Sequence, residues 1–271
     1  MTFYASLSGL QAAQTDLNVI SNNIANANTN GFKASTAAFA DLVSASALTD
    51  PTLTIGLGTR TQAITQQFSL GSMQQTGNAL DLAINGDGFF VTQSPTGTTS
   101  YTRVGAFKVD GTGGITDSAG NLVQLFPVNA AGTVTATSAT SSATVALTNA
   151  AGSAYTGMSV SGSGVLTASY ADGSTTPIGA IALANFPQDS GLRQQGGATW
   201  TATGLSGAAT LGQAGTGDYG PLLSGTLEGS NVDLASQLVG LVGAQQDFQA
   251  NSKAIDTDTQ IMQTIINMRT G

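Results

Sequence analysis

The chain of 271 residues contains no cysteine and no histidine. The lack of cysteine excludes disulfide bonds and thiolate metal sites. The lack of histidine removes the usual general base and the commonest metal ligand. In addition, no serine stands three residues before a lysine, so the serine–lysine arrangement of some hydrolases is missing. We therefore expect a protein that is not an enzyme and that has no metal or cofactor site.

Charged residues are scarce. They make up 8% of the chain, compared with roughly 25% in an ordinary globular protein. Glu228 is the one glutamate, and the formal net charge is -8 with only seven lysines and arginines. A basic surface for nucleic acid has little to be built from, so we expect no nucleic-acid partner.

Long apolar runs are also missing, because none approaches the ~18 residues of a membrane span. The N-terminus has neither the basic nor the apolar region of a cleaved signal peptide. We expect no membrane insertion, and either a cytoplasmic location or export without a cleaved signal.

What the chain does have is an apolar stripe at each end. The stripes indicate two amphipathic helices, and neither helix can bury its own stripe. The first stripe includes Leu10, Leu17, Ile20 and Ile24, and the second consists of Leu234, Leu241, Phe248, Ile255 and Met262. A second row on the C-terminal helix mixes apolar and polar residues: Leu238, Gln245, Ser252, Thr259 and Ile266. We expect the two stripes to pack together and to support polymerisation. The first helix should end near Asn28 to Gly31, and the second should be capped by Ser230 or Asn231.

The middle of the chain reads as β-structure. The chain has 35 glycines, most of them in this middle part, and they indicate many tight turns. Residues 79–84 alternate as in a half-buried strand, and the NGDG sequence at 85–88 predicts a hairpin into the next strand. Residues 101–109 predict another strand. The uncharged Thr- and Val-rich residues 118–171 favour further strands over a low-complexity linker. The predicted fold class is therefore α+β, in which paired long terminal α-helices form an inner, coiled-coil-like stem below a β-rich centre.

Two motifs at opposite ends resemble the flagellar rod and hook protein family. The first is NNIANANTNGFK at residues 22–33, and the second runs from LEGSNVDL at 227–234 into QQDFQANSKAI at 245–255. The residues that carry the resemblance are Asn22, Asn23, Ile24, Ala25, Asn26, Gly31, Phe32 and Lys33, followed by Ser230, Asn231, Val232 and Asp233. The resemblance covers roughly residues 1–126 and 171–271.

The resemblance implies a domain plan. Residues 1–35 with 229–271 would form the helical stem, 36–77 an extended connector with short helical or strand pieces, and 78–126 with 156–228 a β-rich outer domain. Residues 127–155 would be a short insertion in place of a full second outer domain.

The resemblance also implies a function: a structural subunit of the flagellar hook, a flexible curved tube that joins rod to filament around the export channel. Its partners would be copies of itself, the hook cap protein, the distal rod protein, the hook–filament junction protein and the export apparatus. The segment around Trp200 and the run 222–234 look more like hook than rod. The short middle favours the distal rod protein, which stays open as an alternative, and a β-rich surface adhesin is a more distant one.

The start of the chain carries a possible export signal. Phe3 and Leu7 form a Phe-x-x-x-apolar pair, which resembles the gate-recognition motif of early flagellar export substrates. One turn of any amphipathic helix gives the same spacing, so a purely structural role for the pair is equally open.

Overall fold

The computed structural model describes residues 2–43, 56–137 and 139–270. They separate into two compact units. The helical unit comprises residues 1–27, 34–67 and 232–271, and the β unit comprises residues 28–33 and 68–231. The chain is α+β, as predicted. The domain boundaries drawn from the sequence stay predictions, and residues 44–55 of the predicted connector lie outside the described residues.

The helical unit contains two helices and one β-hairpin. Its elements are helix α1 (Thr2–Ala25), strands β1 (Ser35–Val43) and β2 (Gly56–Gln66), and helix α2 (Leu234–Thr270). The two strands pair antiparallel from Ser35–Gln66 to Val43–Gly56. Helix α1 ends a few residues earlier than predicted, at Ala25, and turns follow up to Gly31.

Helix α2 begins later than predicted, and its cap is a different residue. Asp233 caps it, because its carboxylate accepts a hydrogen bond from the Ala235 N–H at 3.0 Å. The expected cap at Ser230 or Asn231 is wrong. The Asn231 side-chain amide instead donates to the Ser69 carbonyl at 3.3 Å. The 37 residues of the helix give a rod of about 55 Å.

The β unit is built from sixteen described strands. Most belong to one antiparallel sheet with the order β11-β12-β13-β9-β5-β6-β15-β14, and two small sheets pair β17 with β4 and β18 with β3. The strands are β3 (Met73–Gln75), β4 (Leu82–Ile84), β5 (Phe89–Gln93), β6 (Thr99–Thr102), β7 (Lys108–Val109), β8 (Ile115–Thr116), β9 (Leu122–Phe126), β10 (Ser141–Ser142), β11 (Tyr155–Val160), β12 (Val165–Tyr170), β13 (Thr175–Asn185), β14 (Arg193–Gly196), β15 (Thr199–Thr201), β16 (Thr210–Gln213), β17 (Leu222–Ser224) and β18 (Thr226–Glu228).

Strands β5 and β13 separate two apolar cores. Successive side chains of a strand point to opposite faces, so Ile181 and Leu183 enter the first core while Ala182 and Ala184 enter the second. Phe90 and Phe89 divide in the same way. This explains why β13 is buried along most of its length: both of its faces are covered.

One type of turn recurs through the β unit. A Ser, Asp or Asn is followed three residues later by a glycine with positive φ, whose N–H donates to the carbonyl of the first residue. Glycine is needed there because the left-handed conformation is costly for other residues. The turns start at Ser94, Asp110, Asp117, Asn129, Asn149 and Ser161.

Two of the predicted β-elements are wrong. The NGDG turn does not make a hairpin: β4 pairs with β17, while β5 pairs with β6, β9 and β13. The N–H of Asn85 donates to the carbonyl of Pro221. The segment that contains Pro221 and β17 therefore occupies the edge of β4. The predicted strand at 101–109 is divided, because β6 ends at Thr102 and β7 begins at Lys108. Between them the Gly105 carbonyl accepts a hydrogen bond from the Leu82 N–H at 2.9 Å.

Candidate functional site

The candidate site is the pair of helices in the helical unit. The side chain of Asn23 lies close to Gln237, and a Cβ added to Gly9 would lie 2.6 Å from the Asn251 Oδ1. Contacts at both ends of α1 therefore show that the helices run antiparallel. Gly9 permits this approach because it has no side chain to hold α2 away.

The predicted apolar stripes are distributed unevenly between this contact and the surface. Ile20 is buried, and a Cβ added to Gly240 would lie 3.4 Å from its Cδ1. The exposed fractions of Leu234, Leu238 and Met262 are 44%, 52% and 60%. The remaining predicted residues are partly buried, and they are Leu10, Leu17, Ile24, Leu241, Phe248 and Ile255.

A second row on α2 was missed because its members are small or polar. Ala244 is buried, and Gln237, Asn251 and Asp258 are partly buried. They repeat every seven residues, offset by three from the row of Leu241 and Phe248. The sequence placed the second row one residue later, at Leu238 and Gln245, which the structure leaves exposed.

Asn23 is the most fully bonded side chain at the contact. It is 1% exposed, and its amide donates to the Ser35 carbonyl at 2.8 Å and to the Gln237 Oε1 at 3.0 Å. Its Oδ1 accepts from the Ser35 N–H at 2.9 Å. One side chain thus ties together α1, the hairpin and α2.

Helix α2 extends beyond its partner. The register of the Asn23–Gln237 and Gly9–Asn251 contacts places the start of α1, Thr2, level with Asp258. From Thr259 to Met268 every described side chain of α2 is exposed, with Ile261 at 52% and Met268 at 80%. The hairpin also exposes apolar side chains, such as Val43 and Ile64.

The outward face of α1 is polar but uncharged. Its exposed residues include Gln11, Gln14, Asn18, Ser21 and Asn22. Asp16, the one charged side chain of α1, is partly buried in a cleft that Asp247 also lines. Burial raises the pKa of Asp16, and the negative charge of Asp247 raises it further.

The family-motif residues divide between the two units. In the helical unit, Asn22 and Ala25 are exposed, Ile24 and Asn26 are partly buried, and Asp233 caps α2. Val232 in that unit is partly buried, as are Ser230 and Asn231 in the β unit. Gly31, with a φ of 68°, and the buried Phe32 and Lys33 belong to the β unit.

The possible export motif lies on the first turns of α1. Phe3 is 37% exposed and its ring meets that of Tyr4 edge-on, with centroids 5.9 Å apart. Leu7 is partly buried. Among the described residues, no helix combines the length and the apolar character needed to cross a membrane.

The two terminal helices form a pair, and the longer helix presents apolar side chains past the end of its partner. This construction is typical of a subunit that assembles with other chains. Comparison with known proteins shows the family. Residues 3–33 match a family described as flagella basal body rod protein, residues 83–168 the flagellar hook protein FlgE/F/G D1 domain, and residues 223–268 the flagellar basal body rod FlgEFG protein C-terminal family. The chain belongs to the flagellar rod and hook protein family.

Its relatives include both rod and hook proteins. The flagellar basal-body rod protein FlgG of Bacillus subtilis is 36% identical over 279 residues, covering 99% of this chain and 98% of the relative. The FlgG of Buchnera aphidicola subsp. Baizongia pistaciae is 34% identical over 273 residues, 95% of each chain. The flagellar hook protein FlgE of Salmonella typhimurium is 28% identical over 410 residues, covering 99% of this chain and all of the relative. The family is a structural component of the flagellum and not an enzyme family.

Proposed function

We propose that this chain is a subunit of the flagellar hook, which polymerises into a flexible curved tube and transmits torque from rod to filament. The observation that best supports this proposal is the apolar end of α2. Its exposed Ile261, Met262, Ile265 and Met268 lie past the end of α1. Neighbouring copies in a helical polymer would bury these side chains, at a gain of about 25 cal/mol per Å².

The two helices would form the inner, coiled-coil-like stem of that tube, around the export channel. The uncharged face of α1 supports this placement. A wall of amides and hydroxyls offers no fixed charge to hold a passing unfolded chain. The predicted packing residues, Leu10 to Ile24 on α1 and Leu234 to Met262 on α2, would then divide into those that hold the pair together and those that contact other copies.

The choice of hook over rod rests on two segments near the C-terminus. The segment around Trp200 and the run from Leu222 to Leu234 resemble hook proteins more than rod proteins. In the structure Trp200 is fully buried in the second core of the β unit. Glu228, in the other segment, is buried beside Lys33. Trp200 and Glu228 therefore belong to the framework of the β unit, where a change of residue would alter the fold locally.

The distal rod protein is the second candidate, and chain length favours it. The rod relatives align over 273 and 279 residues, close to the 271 of this chain. The hook relative aligns over 410 residues, so it carries many residues that this chain lacks. Residues 127–155, where we expect the missing outer domain, contain only the two-residue strand β10 and the first residue of β11 among their described strands.

In the proposed role the protein acts in the basal body and hook outside the cytoplasm, exported without a cleaved signal peptide. Its partners would be other copies, the hook cap protein, the distal rod protein, the hook–filament junction protein and the export apparatus.

Deletion of the gene, followed by electron microscopy of purified basal bodies, tests the assignment. A hook subunit predicts complete rods that end without a hook. Basal bodies whose rods stop short would assign the chain to the distal rod instead. Basal bodies with normal rods and hooks would contradict both roles.

A further inference from the structure

The β unit contains a buried ion cluster that the helix packing does not use. Lys33 Nζ lies 2.6 Å from Glu228 Oε1, and both side chains are fully buried. Arg103, 2% exposed, places its Nη1 3.5 Å from Glu228 Oε2. Glu228, the one glutamate of the chain, thus faces two buried cations.

The cluster joins segments that are far apart in the sequence. The Lys33 ammonium also donates to the Ser69 carbonyl at 2.8 Å, and the Gly71 N–H donates to Glu228 Oε1 at 2.9 Å. The backbone of Gly31 donates to the Glu228 carbonyl at 2.8 Å. Gly31, Lys33, Gly71 and Arg103 therefore all contact Glu228, which lies in the last strand of the β unit.

Charge balance makes Glu228 the critical member. Burial lowers the pKa of Lys33 and of Arg103, the negative charge of Glu228 opposes this in both, and Arg103 lowers the pKa of Lys33 further. The Arg103 guanidinium has further support from the Gly86 carbonyl at 2.9 Å and from the Phe89 ring, 5.1 Å away.

The negative charges of Asp87 and Asp189 also raise the pKa of Arg103, whereas Glu228 is the one acid that raises the pKa of Lys33. Without Glu228, the Lys33 charge would be buried next to Arg103 without a counter-charge, and an uncompensated buried charge is strongly destabilising.

Glu228 arrives in the cluster on strand β18, which pairs with β3, and β17 just before it pairs with β4. The same segment supplies the buried side chains of Leu222 and Leu227. We propose that this segment, residues 222–228, closes the β unit: the unit folds only when the segment is in place and the buried charges of Lys33 and Arg103 are balanced, which Glu228 does in this chain.

A chain is synthesised from its N-terminus, so this segment, which contains the last two strands of the β unit, is among the last parts of that unit to become available. The β unit stays open until then. In an exported subunit, this delay keeps an incomplete chain unfolded. That consequence rests on the proposed function. The folding proposal itself does not depend on whether the chain is a hook or a rod protein.

Unfolding of the purified, unassembled full chain in urea tests the charge balance. Glu228→Gln keeps the shape but removes the charge, and we expect the folding equilibrium constant to fall on the order of 100-fold or more. Adding Lys33→Met to Glu228→Gln should raise the constant again by about tenfold, because one buried cation is removed. The matched control, Asp218→Asn at an exposed acid, should change it less than threefold.

Recovery in the double variant would support the proposal even if Glu228→Gln does not fold at all. A double variant no more stable than Glu228→Gln would overturn it, because then only the shape or hydrogen bonding of residue 228 matters. A Glu228→Gln protein that is as stable as the Asp218→Asn control would also overturn the proposal.

The order of folding has its own test. In refolding followed by pulsed hydrogen exchange, the amides of β5 and β13, which pair with each other and not with 222–228, should gain protection no earlier than those of β17 and β18. Protection of β5 and β13 in an earlier kinetic phase would overturn the proposal. Neither experiment involves polymerisation, so failure here leaves the assignment to the hook untouched.

Discussion

Asn23 gives the sharpest test of the helical unit. Replacing it by alanine removes three hydrogen bonds, two with the Ser35 backbone and one with Gln237. Each typical bond contributes about 0.5–1.5 kcal/mol, and a buried partner left unsatisfied costs about 1–3 kcal/mol. Because Asn23 is 1% exposed, water cannot easily replace these bonds. We expect Asn23→Ala to lower the free energy of unfolding of the helical unit by about 2–5 kcal/mol.

The neighbouring Asn22 offers a matched control, since it is the same residue type on the exposed side of α1. Asn22→Ala should change the free energy of unfolding by less than about 0.5 kcal/mol. Asn23→Asp provides a second comparison: it keeps the acceptor for the Ser35 N–H but places a negative charge against the Ser35 carbonyl and Gln237 Oε1. It should be at least as destabilising as Asn23→Ala.

The measurement is urea unfolding of the unassembled protein, followed by the helical circular dichroism signal, with all variants at one pH and one protein concentration. Equal losses for Asn22→Ala and Asn23→Ala would refute the reasoning, because they would show that the three bonds contribute nothing beyond a surface asparagine.

Three further predictions follow from the same unit. Leu241→Asp should abolish polymerisation because it places a charge in the partly buried helix contact, whereas Gln245→Asp, at an exposed position, should allow polymerisation. Electron microscopy shows whether each variant forms polymers, and normal tubes from Leu241→Asp would disprove the packing. Because the pKa of Asp16 is raised in the folded state, its negative charge destabilises that state above the pKa. Asp16→Asn should therefore be more stable than the unchanged protein at about pH 7, and the difference in stability should fade towards about pH 4. A difference in unfolding midpoints that stays constant between these pH values would rule this out. Phe3→Ala should reduce secretion from cells while the purified variant still polymerises, because a helix's first turn contributes little packing; normal secretion with failed polymerisation would assign Phe3 to the helix pair alone.

Local patterns in the sequence predicted much of this fold. The terminal helices follow from apolar spacing, and the α+β class from the contrast between the ends and the glycine-rich middle. The recurring turns also have a local pattern, a Ser, Asp or Asn three residues before a glycine. These features are local, so a short stretch of sequence contains the information.

The missed features depend on distant or unusual contacts. Strand β4 pairs with β17, about 140 residues away along the chain, and nothing in NGDG indicates that its edge is taken. Lys33 is fully buried, whereas lysines are almost always exposed. The row of Gln237, Ala244 and Asn251 has no apolar pattern that would indicate a helix contact, because the close approach at Gly9 favours small and polar side chains.

In the proposed role, this chain builds a tube with the helix pair as its inner wall. An electron cryo-microscopy reconstruction of the polymer formed by the purified protein would show whether it does. We expect a bendable tube in which α1 and α2 lie innermost and the apolar side chains from Ile261 to Met268 contact neighbouring copies. A polymer whose inner wall is formed by the β unit, or one in which the end of α2 remains exposed to solvent, would contradict it.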